Sequence, residues 1–112
     1  MKIKTILLGM LLAFSYIGMA YSEPKAGETT LVDHACTLDA GMKVFKAATE
    51  GGDPVREWAV QLAAGTCGVG MAVPVEVKSV LAKAVDKDGD LMYVIDIGDG
   101  WVTFVWEEFR GV

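Results

Sequence analysis

Three apolar runs separated by two short breaks of aspartate and glycine dominate the chain between residues 73 and 106. The breaks are Asp88-Gly89 and Gly98-Asp99-Gly100. Both residue types tolerate left-handed backbone, and apolar runs joined by such turns are typical of antiparallel hairpins. The pattern therefore predicts a three-run β-meander. Its strands are expected at about residues 74–85, 91–97 and 101–106.

The turns also predict which strand residues face each other. We expect Val85 opposite Met92 across the first turn and Ile97 opposite Trp101 across the second. One sheet face is then uniformly apolar, and we expect the helices to pack on it: Val80, Ala82, Ala84, Tyr93, Ile95, Ile97, Trp101 and Val105. The other face is mixed: Leu81, Lys83, Val85, Met92, Val94, Asp96, Val102, Phe104 and Trp106.

The first strand contains a break in its alternation. Val75 and Val77 share parity with the mixed face, whereas Val80 belongs to the apolar face. A bulge near Ser79 would restore the phase. Because bulges bend strands, we expect the sheet to curl.

Two short helices are predicted upstream of the meander. Apolar residues spaced by three and four positions indicate a first helix at about residues 38–50, with Thr37 or Asp39 as its cap. Asp53-Pro54 is a typical helix start and predicts a second helix at about residues 54–64. Gly65 follows the second helix at the position where a C-cap residue with left-handed backbone is expected.

The N-terminus has the features of a secretory signal peptide at residues 1–20. Lys2 and Lys4 precede an apolar run that ends near Ala20. A membrane anchor is the alternative, but about 14 residues at ~1.5 Å each span roughly 21 Å, less than the ~30 Å hydrocarbon core. We expect a flexible segment at residues 21–32, a single domain at residues 33–112, and a periplasmic or secreted protein without a stable membrane anchor.

The chain contains two cysteines, Cys36 and Cys67, which allow one intramolecular pairing. In an exported chain this favours a disulfide. A redox or nucleophilic cysteine is the alternative, but it would lack a C-x-x-C pair or an adjacent base.

Charge narrows the classes of partner. Loss of Lys2 and Lys4 with the leader would leave eight basic and fifteen acidic side chains, a formal charge of −7. This balance argues against nucleic acid or anionic lipid and favours solubility or a basic partner.

Several short motifs together resemble those of small exported, periplasmic proteins whose C-terminal half is an SH3-like curled sheet. They are Gly65-Thr66-Cys67 after a helix, Val73-Pro74-Val75-Glu76-Val77, and the pair Gly100-Trp101 within the meander. The resemblance covers about residues 36–106 and includes no catalytic motif. It implies a binding module and transfers no functional residue. The predicted fold is α+β: two short helices on a curled three- to four-stranded antiparallel meander, an SH3-like half-barrel with one disulfide.

No motif for chemistry is complete. Asp86, Asp88 and Asp90 have the spacing of an EF-hand loop. Leu91 and Ile97, however, occupy the positions at which that loop needs glycine and glutamate. We therefore interpret the three aspartates as part of a turn, with a weakly bound cation as the alternative. His34 is interpreted as a surface or packing residue and Glu107-Glu108 as a solvated terminus. We expect no catalytic residue, metal or cofactor.

The predicted binding surface lies on the mixed face and comprises Met92, Phe104, Trp106 and Lys83. The alternative is that this face is a second core covered by the N-terminal half or by barrel closure. The leading hypothesis is a non-catalytic binding module for an envelope protein or cell-wall component. The alternative is an inhibitor or immunity-type protein that blocks an extracytoplasmic hydrolase; an unrecognised hydrolase is a third hypothesis.

Overall fold

The computed structural model of the protein describes residues 23–107, so the predicted signal peptide lies outside the described residues. The fold is α+β, as predicted. Its elements are β1 (Thr29–Thr37), α1 (Leu38–Thr49), α2 (Pro54–Ala63), β2 (Cys67–Glu76), β3 (Ser79–Val85), β4 (Leu91–Gly98) and β5 (Trp101–Glu107). Within this part of the chain, neither helix has the length and apolar character needed to cross a membrane.

The sheet has five antiparallel strands in the order β2-β1-β5-β4-β3, where three or four were predicted. Its two edge strands, β2 and β3, are separated in the chain by Val77 and Lys78 alone. Val77 exchanges backbone hydrogen bonds with Gly27 and Glu28, and Lys78 N–H donates to Asp96 O on β4. The chain therefore passes from one edge of the sheet to the other in two residues, which requires the sheet to curl.

The predicted strand at residues 74–85 is thus two strands. It divides just before Ser79, where the alternation of apolar residues breaks. A further irregularity lies between Val80 and Ala82, opposite Ile95 and Val94 of β4. The broken alternation was therefore a sign of a bend.

Strand β1 was not predicted, and the first part of it, residues 29–32, falls in the segment expected to be flexible. Opposite β2 the register of β1 shifts between Val32 and His34, so that Asp33 sits at a bulge. The sequence of β1, TTLVDHACT, lacks the period-two alternation of apolar residues by which a strand is recognised. Asp33 and His34 are also buried although they are polar, which makes the strand harder to recognise from the sequence.

The β4–β5 hairpin has the predicted register over most of its length, with Ile95 opposite Thr103. Near the turn the register shifts, and Gly98 rather than Ile97 faces Trp101. The turn itself is Asp99-Gly100, with φ of 58° and 82°. Two successive positive φ values are characteristic of a type I′ turn, for which Asp-Gly is a preferred pair.

The β3–β4 hairpin differs from the prediction by one residue, since Val85 faces Leu91 instead of Met92. The connection is longer than a two-residue turn because it includes Asp86 and Asp90. Asp86 Oδ1 accepts hydrogen bonds from the backbone N–H groups of Asp88 (2.9 Å) and Asp90 (3.1 Å). The side chain of Asp86 therefore organises a wider turn than the Asp-Gly pair alone predicts.

The helices begin and end as their sequences indicate. Thr37 caps α1, and Asp53 caps α2 by accepting from Arg56 N–H at 3.1 Å, with Pro54 at the first helical position. At the end of α2, Gly65 has φ 78°, Gly65 N–H donates to Leu62 O and Thr66 N–H to Gln61 O. This pair of bonds is a Schellman motif.

The predicted disulfide between Cys36 and Cys67 is present. The two residues face each other across β1 and β2, and Cys36 also faces Val102 of β5. The bridge therefore joins the start of the edge strand β2 to the interior strand β1.

The helices pack on the sheet face that was predicted to be mixed. The helix-covered core contains Cys36, Ala40, Val44, Phe45, Ala48, Trp58, Cys67, Met92, Val94, Val102 and Phe104. Of the face predicted to be uniformly apolar, Tyr93 and Ile95 form a second cluster with Val77, whereas Ala82 and Ala84 pack against the helix-covered core. The prediction of the helix-bearing face was wrong because apolar residues are buried on both faces of β4 and β5, and because β3 pairs with β4 one residue out of the predicted register.

Candidate functional site

An open groove of about 360 Å³ runs along β1 and the edge strand β2. We call it the β2 groove and define it by Val32, Asp33, His34, Val69, Met71 and Trp101. A carboxylate and an imidazole are its ionisable side chains; the others are apolar.

A wide bulge in β2 opens this groove. Val32 faces Val73 and His34 faces Val69, so Asp33 of β1 lies opposite residues 70–72 of β2. In this interval β2 therefore has two residues more than β1. Such bulges re-aim side chains, and this one brings Met71 to the surface.

The apolar side chains along β2 are strongly exposed. The exposed fractions are 66% for Val69, 88% for Met71 and 48% for Val73, and Trp101 at the opposite wall is 40% exposed. Isolated exposed apolar residues are common, whereas a contiguous set around a groove marks a contact surface. Trp and Met are also enriched at protein interfaces.

The floor of the groove is a buried polar network. His34 Nδ1 lies 2.9 Å from Asp33 Oδ1, and His34 Nε2 accepts the backbone N–H of Phe104 at 3.2 Å. Because Nε2 is an acceptor, the ring proton lies on Nδ1 and is donated to Asp33. Thr103 Oγ1 lies 3.1 Å from Nε2 and donates to His34 O at 2.8 Å.

Aromatic rings hold the imidazole in place. The Phe104 ring is stacked at 5.6 Å between centroids, and the Trp58 ring meets the imidazole edge-on at 5.9 Å. His34 is therefore a packing residue, one of the two interpretations that its sequence context allowed.

Asp33, His34 and Thr103 have the composition of a catalytic Asp-His-hydroxyl triad. The Thr103 hydroxyl, however, lacks the access to substrate that a nucleophile needs. Thr103 is fully buried and its hydroxyl proton is donated to a backbone carbonyl. A substrate would have to reach Oγ1 for attack to occur. The arrangement therefore acts as a structural tie between β1 and β5.

The structure does not bring the predicted binding residues together on an exposed surface. Met92 and Phe104 are 1% and 3% exposed and lie under the helices, which corresponds to the alternative of a second, covered core. Trp106 is half-buried, and its Nε1 has no hydrogen-bond partner among the described residues. Lys83 is exposed and forms an ion pair with Glu23 at 3.2 Å.

Two other polar groups have structural roles. Asp86 organises the β3–β4 turn, and no cluster of three metal-ligating residues occurs within residues 23–107. Tyr93 donates a hydrogen bond to Glu107. Burial, and then the Glu107 hydrogen bond and negative charge, raise the pKa of Tyr93 well above its ordinary value near 10.

Sequence reasoning did not find the β2 groove because the first strand was predicted to begin only at about residue 74, whereas β2 begins at Cys67. A usable signal was nevertheless present. From Cys67 every second residue is apolar: Cys67, Val69, Met71, Val73 and Val75. This period-two alternation is typical of a strand even when glycines separate its members.

Comparison of the chain with family models, with curated proteins and with solved structures found no match. The function is therefore inferred from the geometry of the chain itself.

Proposed function

We propose that the protein is a non-catalytic binding module that contacts a partner protein through the β2 groove. The observation that carries this proposal is the exposure of Val69, Met71 and Trp101 around one groove. Exposing apolar surface to water is unfavourable, and burial recovers about 25 cal/mol for each Å². A partner that covers these side chains would gain that free energy.

The proposed compartment is the cell envelope or the exterior. A buried disulfide is typical of proteins that fold in an oxidising environment, and Cys36 and Cys67 form one. The N-terminal sequence, with its two lysines and apolar run, supports the same cellular location. The partner would then be an envelope protein. A cell-wall component is the other class of ligand compatible with this location.

We also propose that the curl of the sheet is that of an SH3-like half-barrel. Support comes from the two-residue connection between the edge strands and from the second buried cluster, which lies outside the helix-covered core. The inaccessibility of Thr103 supports a role without catalysis.

Capture from an envelope extract tests the proposal. Immobilised wild type, Met71→Lys and the control Val60→Lys are compared, because Val60 is also exposed, at 51%, but lies on α2 away from the groove. We expect Met71→Lys to lose the captured partner and Val60→Lys to retain it. Equal recovery by all three proteins would remove the β2 groove from the binding site.

The second candidate function is inhibition of an extracytoplasmic hydrolase, in the manner of an inhibitor or immunity-type protein. The excess of fifteen acidic over ten basic side chains favours it, because such a surface would attract a basic enzyme. Association would then slow steeply with added salt, whereas contact through the apolar groove would depend on salt weakly. Association rates at two ionic strengths distinguish the two candidates.

A further inference from the structure

We infer that the β2 groove accepts an extended segment of the partner as an additional strand on β2, with a lysine or arginine of that segment placed over Asp33. This inference rests on the proposed function and specifies the chemistry of the partner.

β2 is an edge strand whose outer backbone groups can pair with an additional strand. β2 stands at one end of the sheet order and pairs with β1. Among residues 23–107, no backbone hydrogen bond outside the helices and strands reaches residues 68–76. An edge of this kind presents unpaired N–H and C=O groups, which extended peptides use in strand addition.

The glycines of β2 leave room for a second backbone. A Cβ at Gly68 or Gly70 would meet no atom within 4 Å, so the space beside both residues is open. Glycine in a strand often marks a place where another backbone approaches closely. Val69 and Met71 alternate with these glycines and offer apolar contacts to alternate side chains of an incoming strand.

Asp33 gives the groove a preference for a positive charge. Its carboxylate is 6% exposed, and within residues 23–107 only Oδ1 is engaged, by His34. Asp33 lines the groove, where the other side chains apart from His34 are apolar. A carboxylate in such surroundings is stabilised by a charge-assisted hydrogen bond, which a lysine or arginine supplies.

A second copy of the chain is a poorer occupant. If β2 of one copy paired with β2 of another, the residues entering the groove would come from residues 67–76. That segment contains no lysine or arginine. Asp33 would then be covered without a cationic partner, which is costly for a buried carboxylate.

A selection from a displayed library of short random peptides tests the inference. Oxidised wild type is the bait, and Met71→Lys removes peptides that bind elsewhere. We expect the enriched peptides to alternate apolar residues and to carry a lysine or arginine. Enrichment of acidic or amphipathic helical peptides would overturn the inference, and so would failure to enrich any peptide.

A synthetic copy of the most enriched peptide separates backbone from side-chain recognition. We expect N-methylation of one alternate set of its amides to weaken binding about tenfold or more, and of the other set to have little effect, because only one set faces β2. Replacing its basic residue by norleucine should weaken binding to wild type about tenfold and binding to Asp33→Asn much less.

The outcomes distinguish this inference from the proposed function. If Met71→Lys loses the partner from the extract but neither methylation nor norleucine matters, the groove is the contact surface and the strand-addition mode is overturned. If wild type forms dimers in sedimentation experiments that Met71→Lys abolishes, the occupant is a second copy and the inference is likewise overturned.

Discussion

Asp33 and His34 are consecutive residues of one strand, yet Asp33 Oδ1 lies 2.9 Å from His34 Nδ1. Successive side chains of a regular strand point to opposite faces. Here the pairing with β2 is interrupted at Asp33, which lies opposite residues 70–72, and the two side chains meet. The polar pair that forms the floor of the β2 groove is also what hid β1 in the sequence, because two consecutive buried polar residues break the apolar pattern of a strand.

The first prediction concerns His34. His34→Ala leaves the N–H of Phe104 without its acceptor, removes the donor to Asp33 and opens a cavity beside the Phe104 and Trp58 rings. We expect the free energy of unfolding to fall by about 3 kcal/mol.

Urea denaturation measures this change. Val60→Ala on the exposed face of α2 is the control and should stay within about 0.5 kcal/mol of wild type. If His34→Ala were as stable as the control, the network would contribute nothing to the tie between β1 and β5.

The second prediction concerns Gly41 in α1. A Cβ at this position would overlap Cγ2 of Val102 on β5, so the glycine lets the helix lie close to the sheet. Alanine is the better helix former by about 1 kcal/mol, but we expect Gly41→Ala to lower stability by about 1–3 kcal/mol through overpacking. Thermal unfolding of Gly41→Ala and Gly68→Ala provides a matched comparison, since Gly68 faces open space. Stabilisation by Gly41→Ala would contradict the close packing.

Sequence reasoning succeeded for features that depend on interactions between residues close together in the chain. Caps and turns are local, so Asp53-Pro54, Gly65 and Asp99-Gly100 were recognisable from their own residue types. The disulfide was recognisable because two cysteines permit one pairing.

Features that depend on distant parts of the chain were not predictable in the same way. Whether the Tyr93 face or the Phe104 face receives the helices depends on the curl of the whole sheet, which the alternation of apolar residues does not encode. The β2 groove depends on the three residues that β2 inserts opposite Asp33, and the sequence of β2 alone does not reveal its partner strand.

The third prediction is a loss of stability at alkaline pH through Tyr93. Its pKa in the folded protein is raised, first by burial and then by Glu107. Below pH 10 the tyrosine is protonated in both states, and its contribution is fully present. Above pH 10 the unfolded tyrosine loses its proton while the folded one retains it, so stability falls by about 1.4 kcal/mol for each pH unit.

Tyr93→Phe isolates this effect from other alkaline titrations. The free energy of unfolding is measured from pH 8 to pH 11 for both proteins. The variant should be less stable than wild type near pH 8 by about 1 kcal/mol, because it lacks the hydrogen bond to Glu107. The difference should shrink above pH 10, and a constant difference would show that Tyr93 does not titrate differently in the two states.

The fourth prediction concerns the bond between Cys36 and Cys67, whose sequence separation of 31 closes a loop that includes both helices. In the chain-entropy treatment, a loop of this length contributes about 3–4 kcal/mol. We expect a reducing agent to lower the free energy of unfolding of wild type by about this amount. The Cys36→Ala, Cys67→Ala double variant should match reduced wild type and should not respond to the reducing agent. Unchanged stability of wild type after complete reduction, checked by thiol titration, would contradict the prediction.

Reduction should also loosen the edge strand before the rest of the sheet. Cys67 is the first residue of β2 and lies at one end of the β2 groove, whereas β4 and β5 are held by the helix-covered core. We therefore expect amide hydrogen exchange to accelerate in residues 68–73 much more than in β4 when the bond is reduced. Equal acceleration in both strands would mean that the disulfide stabilises the sheet as a whole. Selective acceleration would make the oxidised bond a requirement for the ordered edge on which strand addition depends.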